Sequence, residues 1–136
     1  MSAVFPSQEW LKEFESRLKI DLRYQAIARD WEGDLFFFIE PDGNLKERLT
    51  LYLDLWHGTC RKAEYNPSLD SHPGTAFTLT GSYNNITAIL SGKLNPMTAM
   101  VTGKLKVKGS MGYMMRHAPI VLDFVRVAQE VTSEIM

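Results

Sequence analysis

Residues 35–39 read Leu-Phe-Phe-Phe-Ile, and residues 49–56 alternate Leu49, Leu51, Leu53 and Leu55 with Thr50, Tyr52, Asp54 and Trp56. A short, continuous aromatic and aliphatic run suits a strand buried on both faces. A period of two suits a second strand with one face turned inward. Between them Pro41-Asp42-Gly43-Asn44 supplies a turn. Proline fixes φ there, and glycine and asparagine tolerate the left-handed region. The two strands are therefore expected to pair antiparallel as a hairpin.

The pattern before the hairpin is helical. Ser7 is a good N-cap, and Trp10, Leu11, Phe14 and Leu18 follow at helical spacing. A second short helix is expected over 22–29, with Asp21 as its cap, and Gly33 breaks the pattern ahead of the strand. After the hairpin, 59–65 reads as a third strand ending at Asn66-Pro67, 68–74 as a polar loop, and 76–80 as a fourth strand. Ser82 caps a helix bearing Ile86, Ile89 and Leu90, and Asn95-Pro96 opens a short helix that Gly103 stops. Residues 104–108 alternate as a strand, Ser110 caps a further helix, and a last helix runs over 119–131. Helices come first, then a run of strands, then helices with one more strand among them. That order is α+β, not repeating βαβ. With 136 residues and no linker or repeat, residues 1–136 are expected to form a single domain.

Composition narrows the function classes. Hydrophobic residues make up 45% and charged residues 23%, which is globular and not disordered. A formal net charge of −1 argues against a strongly basic nucleic-acid binder. Cys60 is the single cysteine, so neither an internal disulfide nor a cysteine-built zinc site forms. That fits a reducing compartment. The opening residues lack a basic and apolar leader, and nothing approaches the roughly 18 apolar residues of a membrane span. The ending Glu134-Ile135-Met136 is not a peroxisomal address. A cytoplasmic location is the resulting expectation.

The charge is unevenly placed. Residues 1–54 hold 11 acids against 7 Lys and Arg, whereas 55–136 hold 5 against 8. No acid occurs over 71–122, which carries Lys93, Lys104, Lys106, Lys108 and Arg116. This is either a solvated face or a weakly basic surface for transient contact with an anionic membrane.

Catalytic patterns are thin. His57, His72 and His117 stand in no metal-ligand spacing, and Asp54 and His57 are three apart on an expected strand, so they face opposite ways. Gly109-Ser110-Met111-Gly112 lacks the glycine two before the serine that a nucleophile elbow needs. Residues 103–110 lack the lysine of a Walker loop. Nothing local activates Cys60. The expectation is no enzyme, no metal and no cofactor.

Methionine is the informative residue. Met97, Met100, Met111, Met114 and Met115, five of the chain's seven, fall in one short stretch. Met111, Met114 and Met115 share one helical face. Unbranched and polarisable, methionine either fills gaps in a core or forms a deformable wall around an apolar ligand. In the last helix Val121, Phe124, Val125, Ala128 and Val131 form one face, Ile120, Leu122 and Val127 widen it, and Asp123, Arg126, Gln129 and Glu130 leave a narrow polar strip. An apolar surface this broad covers either a cavity occupant or another chain, including a second copy of this one.

The stretch Asn95-Pro96-Met97-Thr98-Ala99-Met100-Val101-Thr102-Gly103-Lys104-Leu105-Lys106-Val107-Lys108-Gly109-Ser110-Met111-Gly112 resembles the signature of the sterol carrier protein, or sterol-transfer, domain family. Asp30-Trp31-Glu32-Gly33-Asp34 and Pro41-Asp42-Gly43 are similar to it as well. The resemblance implies a five-stranded, mostly antiparallel sheet covered on one face by helices, with an apolar tunnel between them. It implies non-catalytic binding and intracellular transfer of fatty acids, acyl-CoA, sterol-like or other apolar molecules. It places Phe77, Met97, Met100, Met111, Met114, Met115, Val121, Phe124 and Val125 in the tunnel wall. Two departures stand out: no peroxisomal tail, and an unusually long, aliphatic last helix. The alternative is a protein–protein or dimerisation domain that uses that helix and has no open tunnel.

Overall fold

The helices begin where the short polar residues stand. In the computed structural model, which describes residues 2–136, α1 (Gln8–Ile20) follows Ser7, whose hydroxyl oxygen accepts from the Trp10 N–H at 3.0 Å. The Asp21 carboxylate accepts from the Tyr24 N–H at 2.9 Å and opens α2 (Leu22–Ile27). Ser82 opens α3 (Tyr83–Leu90), Asn95 opens α4 (Pro96–Thr102) and Ser110 opens α5 (Met111–Arg116), each accepting from N–H groups of the first turn. These caps satisfy donors that have no partner inside the helix. Only α6 (Ala118–Val131) begins without a side-chain cap, with Pro119 in its first turn instead. Helix α2 stops two residues short of the expected end. The chain turns at Ala28, whose carbonyl accepts from the Trp31 N–H, and this sends the Trp31 side chain into the core.

The strands are β1 (Ala3–Phe5), β2 (Glu32–Glu40), β3 (Leu49–Trp56), β4 (Thr59–Tyr65), β5 (Phe77–Ser82), β6 (Leu105–Lys108) and β7 (Thr132–Ile135). The main sheet runs β4-β3-β2-β5-β6. Only β2 and β5 lie parallel; the other neighbours are antiparallel. The expected hairpin is present, with Leu35 opposite Leu53 and Phe37 opposite Leu51. Gly33 does not precede the strand but lies inside β2. A Cβ at that position would stand 2.7 Å from Cε2 of Phe77, so the neighbouring ring demands glycine.

The sequence reading lacks β1 and β7, which pair parallel as a separate two-stranded clamp at the two ends of the described chain. The Met136 N–H donates to the Phe5 carbonyl at 2.9 Å, and the Tyr83 hydroxyl donates to the Met136 carbonyl at 2.5 Å. Phe5 is thereby fixed in the core at 1% exposure.

Strand alternation divides the sheet into two faces. Leu35, Phe37 and Ile39 of β2, Leu51, Leu53 and Leu55 of β3, Leu79 of β5 and Leu105 of β6 turn toward the helices. Phe36, Phe38, Tyr52, Thr78 and Lys108 turn to the other side. Helix α6 is the central cover and packs against α1, α2, α3 and α4. It buries Ile120, Val121, Val127, Ala128 and Val131, while Leu122 remains 42% exposed.

Asp123 departs from the polar strip expected of α6: it is 4% exposed. Arg126 donates to it at 2.8 Å, and Arg23 pairs with it at 3.2 Å. The same Arg126 guanidinium donates to Asp21 at 2.8 Å and to Glu130 at 2.9 Å. A buried carboxylate is tolerable because its charge is paired and hydrogen-bonded. The network ties α6 to the junction of α1 and α2. No helix among the described residues is long and apolar enough to cross a membrane.

Candidate functional site

The sheet and the helices do not close completely on one another. A hollow of about 90 Å³ remains between them. Its floor is Phe37, Ile39, Leu51, Leu53, Leu79 and Leu105 from the sheet. Trp10 and Phe14 of α1, Ile86, Ile89 and Leu90 of α3, Pro96 and Met100 of α4, and Val121, Phe124, Val125 and Ala128 of α6 form the roof, with Phe5 at one end. An adjoining hollow of about 30 Å³ is bounded by Tyr24, Trp31, Leu35, Leu55, Met114 and Ile120. The two share Phe37, Leu79, Met100, Val121 and Phe124. The interior space is thus two adjoining hollows divided by shared side chains, not one continuous tunnel.

No polar atom faces either hollow. Among the described residues, no buried side-chain nitrogen or oxygen lacks a hydrogen-bond partner. The walls therefore offer dispersion and water exclusion and no directional chemistry.

The nine residues assigned to the wall by resemblance fall into three groups. Met100, Val121, Phe124 and Val125 line the larger hollow, and Met100, Val121 and Phe124 also line the smaller one. Met114 lines the smaller hollow alone and is 2% exposed. Phe77 lies outside both, packed on Trp31 and Tyr113 with ring centroids 5.6 and 5.7 Å away. Met97, Met111 and Met115 are partly buried against the core and line neither hollow. Sequence reasoning misses Phe5, Trp10, Phe14, Phe37, Ile39, Leu51 and Leu53 as wall residues. Alternation and helical spacing mark them as inward-facing, but periodicity does not say which inward side chains border a void.

The titratable groups serve local structure. His57 does not extend β3. It sits in the following turn at φ 49° and pairs with Glu32 at 2.6 Å, while Asp54 pairs with Arg61 at 3.1 Å. His72 pairs with Glu64, and a ring nitrogen of His117 lies 2.8 Å from the Tyr113 carbonyl. Burial pushes the Cys60 thiol up to about 12, so it stays neutral and unreactive at ordinary pH. Burial also raises the Tyr24 hydroxyl well above its usual range. No group of three or more His, Cys, Asp or Glu able to hold a metal occurs among the described residues.

Comparison with known proteins agrees with this architecture. The model of the SCP-2 sterol transfer family matches residues 11–121. A crystal structure of sterol carrier protein 2 is 27% identical with a TM-score of 0.81, and the match covers 93% of this chain and 98% of that one. The solution structure of a conserved hypothetical protein from Thermus thermophilus, described as possibly a sterol carrier protein, is 28% identical with a TM-score of 0.81, covering 93% and 89%. The fold also recurs inside a longer protein. The inverting sec-alkylsulfatase Pisa1 from a Pseudomonas species is 19% identical over 80% of this chain but only 15% of that one, with a TM-score of 0.54. Among curated protein sequences none matches the chain significantly. The match over residues 11–121, together with the sheet order and the covering helices, places this chain in the SCP-2 sterol transfer family.

Proposed function

We propose that the chain is a non-catalytic carrier that takes one lipid molecule between its sheet and α6 and moves it between membranes. Membership of the sterol transfer family supports a lipid-binding role. The observation that carries the reading is the pair of adjoining hollows with no polar atom on their walls. A fatty acid, an acyl-CoA or a sterol-like molecule is held there by the transfer of its hydrocarbon out of water. At about 0.8 kcal/mol per methylene, a chain of roughly 16 carbons gains on the order of 12 kcal/mol gross, before ordering costs.

The hollows are small for this task. Ligand sites commonly run roughly 300–1,000 Å³, against about 90 and 30 Å³ here. Loading therefore requires the roof to yield. Met100 and Met114 are soft enough to repack, and Met97, Met111 and Met115 around them give way as the space widens. Phe124 moves aside to join the two hollows. Selectivity among apolar shapes is then loose.

Exposed Lys93, Lys104 and Arg116 form no ion pair among the described residues and suit transient contact with an anionic membrane. A reducing, cytoplasmic setting suits the buried free thiol of Cys60. The competing reading, a dimerisation domain built on α6, has little surface left to use, because most of that helix's apolar residues are buried within the fold.

Native mass spectrometry with organic extraction tests the proposal. The expected result is co-purified lipid, or added palmitate, at one molecule per chain. A lipid-free dimer that fails to displace a fluorescent fatty acid would favour the interaction reading.

A further inference from the structure

The face of the sheet away from the helices carries a groove of its own. Strand register places two rows across it. Lys108, Thr78, Phe36 and Tyr52 lie opposite one another in the first, and Lys106, Thr80, Phe38 and Thr50 in the second. Directly paired residues share a face, and adjacent strands lie about 4.8 Å apart. Two cationic side chains therefore stand within reach of two phenyl rings, with threonines between them. The rings of Phe36 and Phe38 stack, with centroids 5.8 Å apart and planes at 17°.

A loop walls this surface on one side. The His72 ring lies flat on Tyr52, centroids 3.5 Å apart and planes at 1°, and also pairs with Glu64. The Thr75 hydroxyl donates to the His72 carbonyl at 2.7 Å, and the Ala76 N–H donates to Asp34 at 2.8 Å. The result is an open groove of about 520 Å³, with Phe36, Phe38 and Thr78 as floor, Leu69 and His72 as wall, and Lys108 at the rim. This is several times the volume of the interior hollows, and both polar and apolar groups line it.

Charge supplies the choice of occupant. Lys106 and Lys108 form no ion pair among the described residues, although carboxylates are frequent elsewhere in the chain. The acids on this face include Asp34, Glu40, Asp54 and Glu64, and each is already engaged: Asp34 by Tyr52 and the Ala76 N–H, Glu40 by Arg48, Asp54 by Arg61 and Glu64 by His72. Phe36 is 5% exposed and the Arg48 guanidinium lies 4.9 Å over the Phe38 ring, so a guest ring meets the half-buried Phe38 at its edge, between Leu69 and Thr78, with its charge directed at the lysines. The groove ends against the loop, which suits a small molecule better than a polymer. We propose that this groove binds a small aromatic or heteroaromatic anion, a ring bearing a carboxylate or phosphate, independently of the lipid site on the other side of the sheet.

The test uses 2-naphthoate as probe on the full chain, uniformly labelled with nitrogen-15, followed by amide chemical shifts. Neutral 2-naphthylmethanol and non-aromatic cyclohexanecarboxylate serve as controls. The expected shifts cluster at Gly74, Thr78, Lys108 and Gly109, and each control binds at least about fivefold more weakly, since each removes one half of the recognition. The double variant Lys106→Glu, Lys108→Glu changes only exposed side chains. It is expected to weaken the probe by about tenfold or more, while palmitate binding stays within about twofold. Three results would overturn the proposal: shifts confined to Met100, Val121 and their neighbours, an unchanged affinity in the folded double variant, or a ten-nucleotide DNA single strand that moves the same amides at lower concentration than the probe.

Discussion

The ring of Phe124 in α6 lies parallel to the ring of Phe37 in β2, with centroids 6.1 Å apart and planes at 4°. Both border the larger and the smaller hollow, so this pair is part of the partition between them, with Leu79, Met100 and Val121. Phe124 also meets Phe14 at 4.9 Å, which holds it in place from the side of α1.

Removing the Phe124 ring from the partition should widen the opening between the hollows. Phe124→Ala is expected to lower stability by about 3 kcal/mol, the lower end for a phenylalanine truncation, because the ring already borders empty space. Urea unfolding gives the value, read as a shifted midpoint with an unchanged slope. Palmitate should raise the midpoint of this variant more than that of the parent chain. A loss below about 1 kcal/mol would mean that the ring contributes little to packing there.

Met100 and Val101 are neighbours on α4 with opposite surroundings: Met100 is 5% exposed and lines both hollows, whereas Val101 is 73% exposed. Met100→Gln puts an amide against walls that offer it no partner. Fatty-acid affinity should fall about tenfold, or 1.4 kcal/mol. Val101→Gln should leave it within about twofold. Displacement of a fluorescent fatty acid reads both. Equal effects would remove Met100 from the wall.

These contrasts also show what is legible in the sequence. Ser7, Asp21, Ser82, Asn95 and Ser110 each mark a helix start because a short acceptor side chain satisfies first-turn N–H groups locally. Local chemistry of that kind is visible in a linear chain. The strand over Thr59–Tyr65 is readable for the same reason, bounded by a turn at Gly58 and by Asn66-Pro67. The β1–β7 clamp is not. It is three and four residues long and exists only because the ends of the described chain meet. Asp123 reads as solvent-facing in the sequence because its partners, Arg23 and Asp21-bound Arg126, lie on α2 and one turn along α6. Wall and core look alike in periodicity, so the methionine cluster points toward the hollows while Phe5, Trp10 and Phe37 escape notice.

Gly109 closes the Gly-Lys-Leu-Lys-Val-Lys-Gly block for a steric reason. Its φ is +125°, and a Cβ would stand 2.6 Å from the Ala76 carbonyl oxygen and 2.9 Å from Cδ1 of Phe77. Gly109→Ala combines a strained backbone with a clash against main chain that has no room to shift. A loss of at least about 2 kcal/mol is expected in thermal or urea unfolding. A loss under about 0.5 kcal/mol would show that β5 and β6 separate easily at this edge.

Acid should loosen α6 from the α1–α2 junction. The hydrogen bond from Arg126 chiefly, with the Tyr24 N–H and the Arg126 and Arg17 charges, outweighs burial and holds the Asp21 carboxyl below its ordinary value of 3.8. A depressed folded value means that the charged form favours folding. This contribution is full above the ordinary value and is lost as pH falls through the folded one. Asp21→Asn keeps an N-cap residue but removes the charge. The two proteins should differ in stability near pH 7, and the gap should narrow as pH falls below the ordinary value of 3.8 and through the lower folded one. A gap that stays constant across this range would place the effect outside Asp21 ionisation.

The most direct measurement of the carrier reading is a palmitate titration of the chain labelled with carbon-13 at its methionine methyl groups. The Met100 and Met114 signals are expected to shift and saturate at one palmitate per chain, with nuclear Overhauser contacts from both methyl groups to the acyl chain. Methyl signals unmoved at saturating palmitate, or contacts confined to exposed side chains, would contradict it.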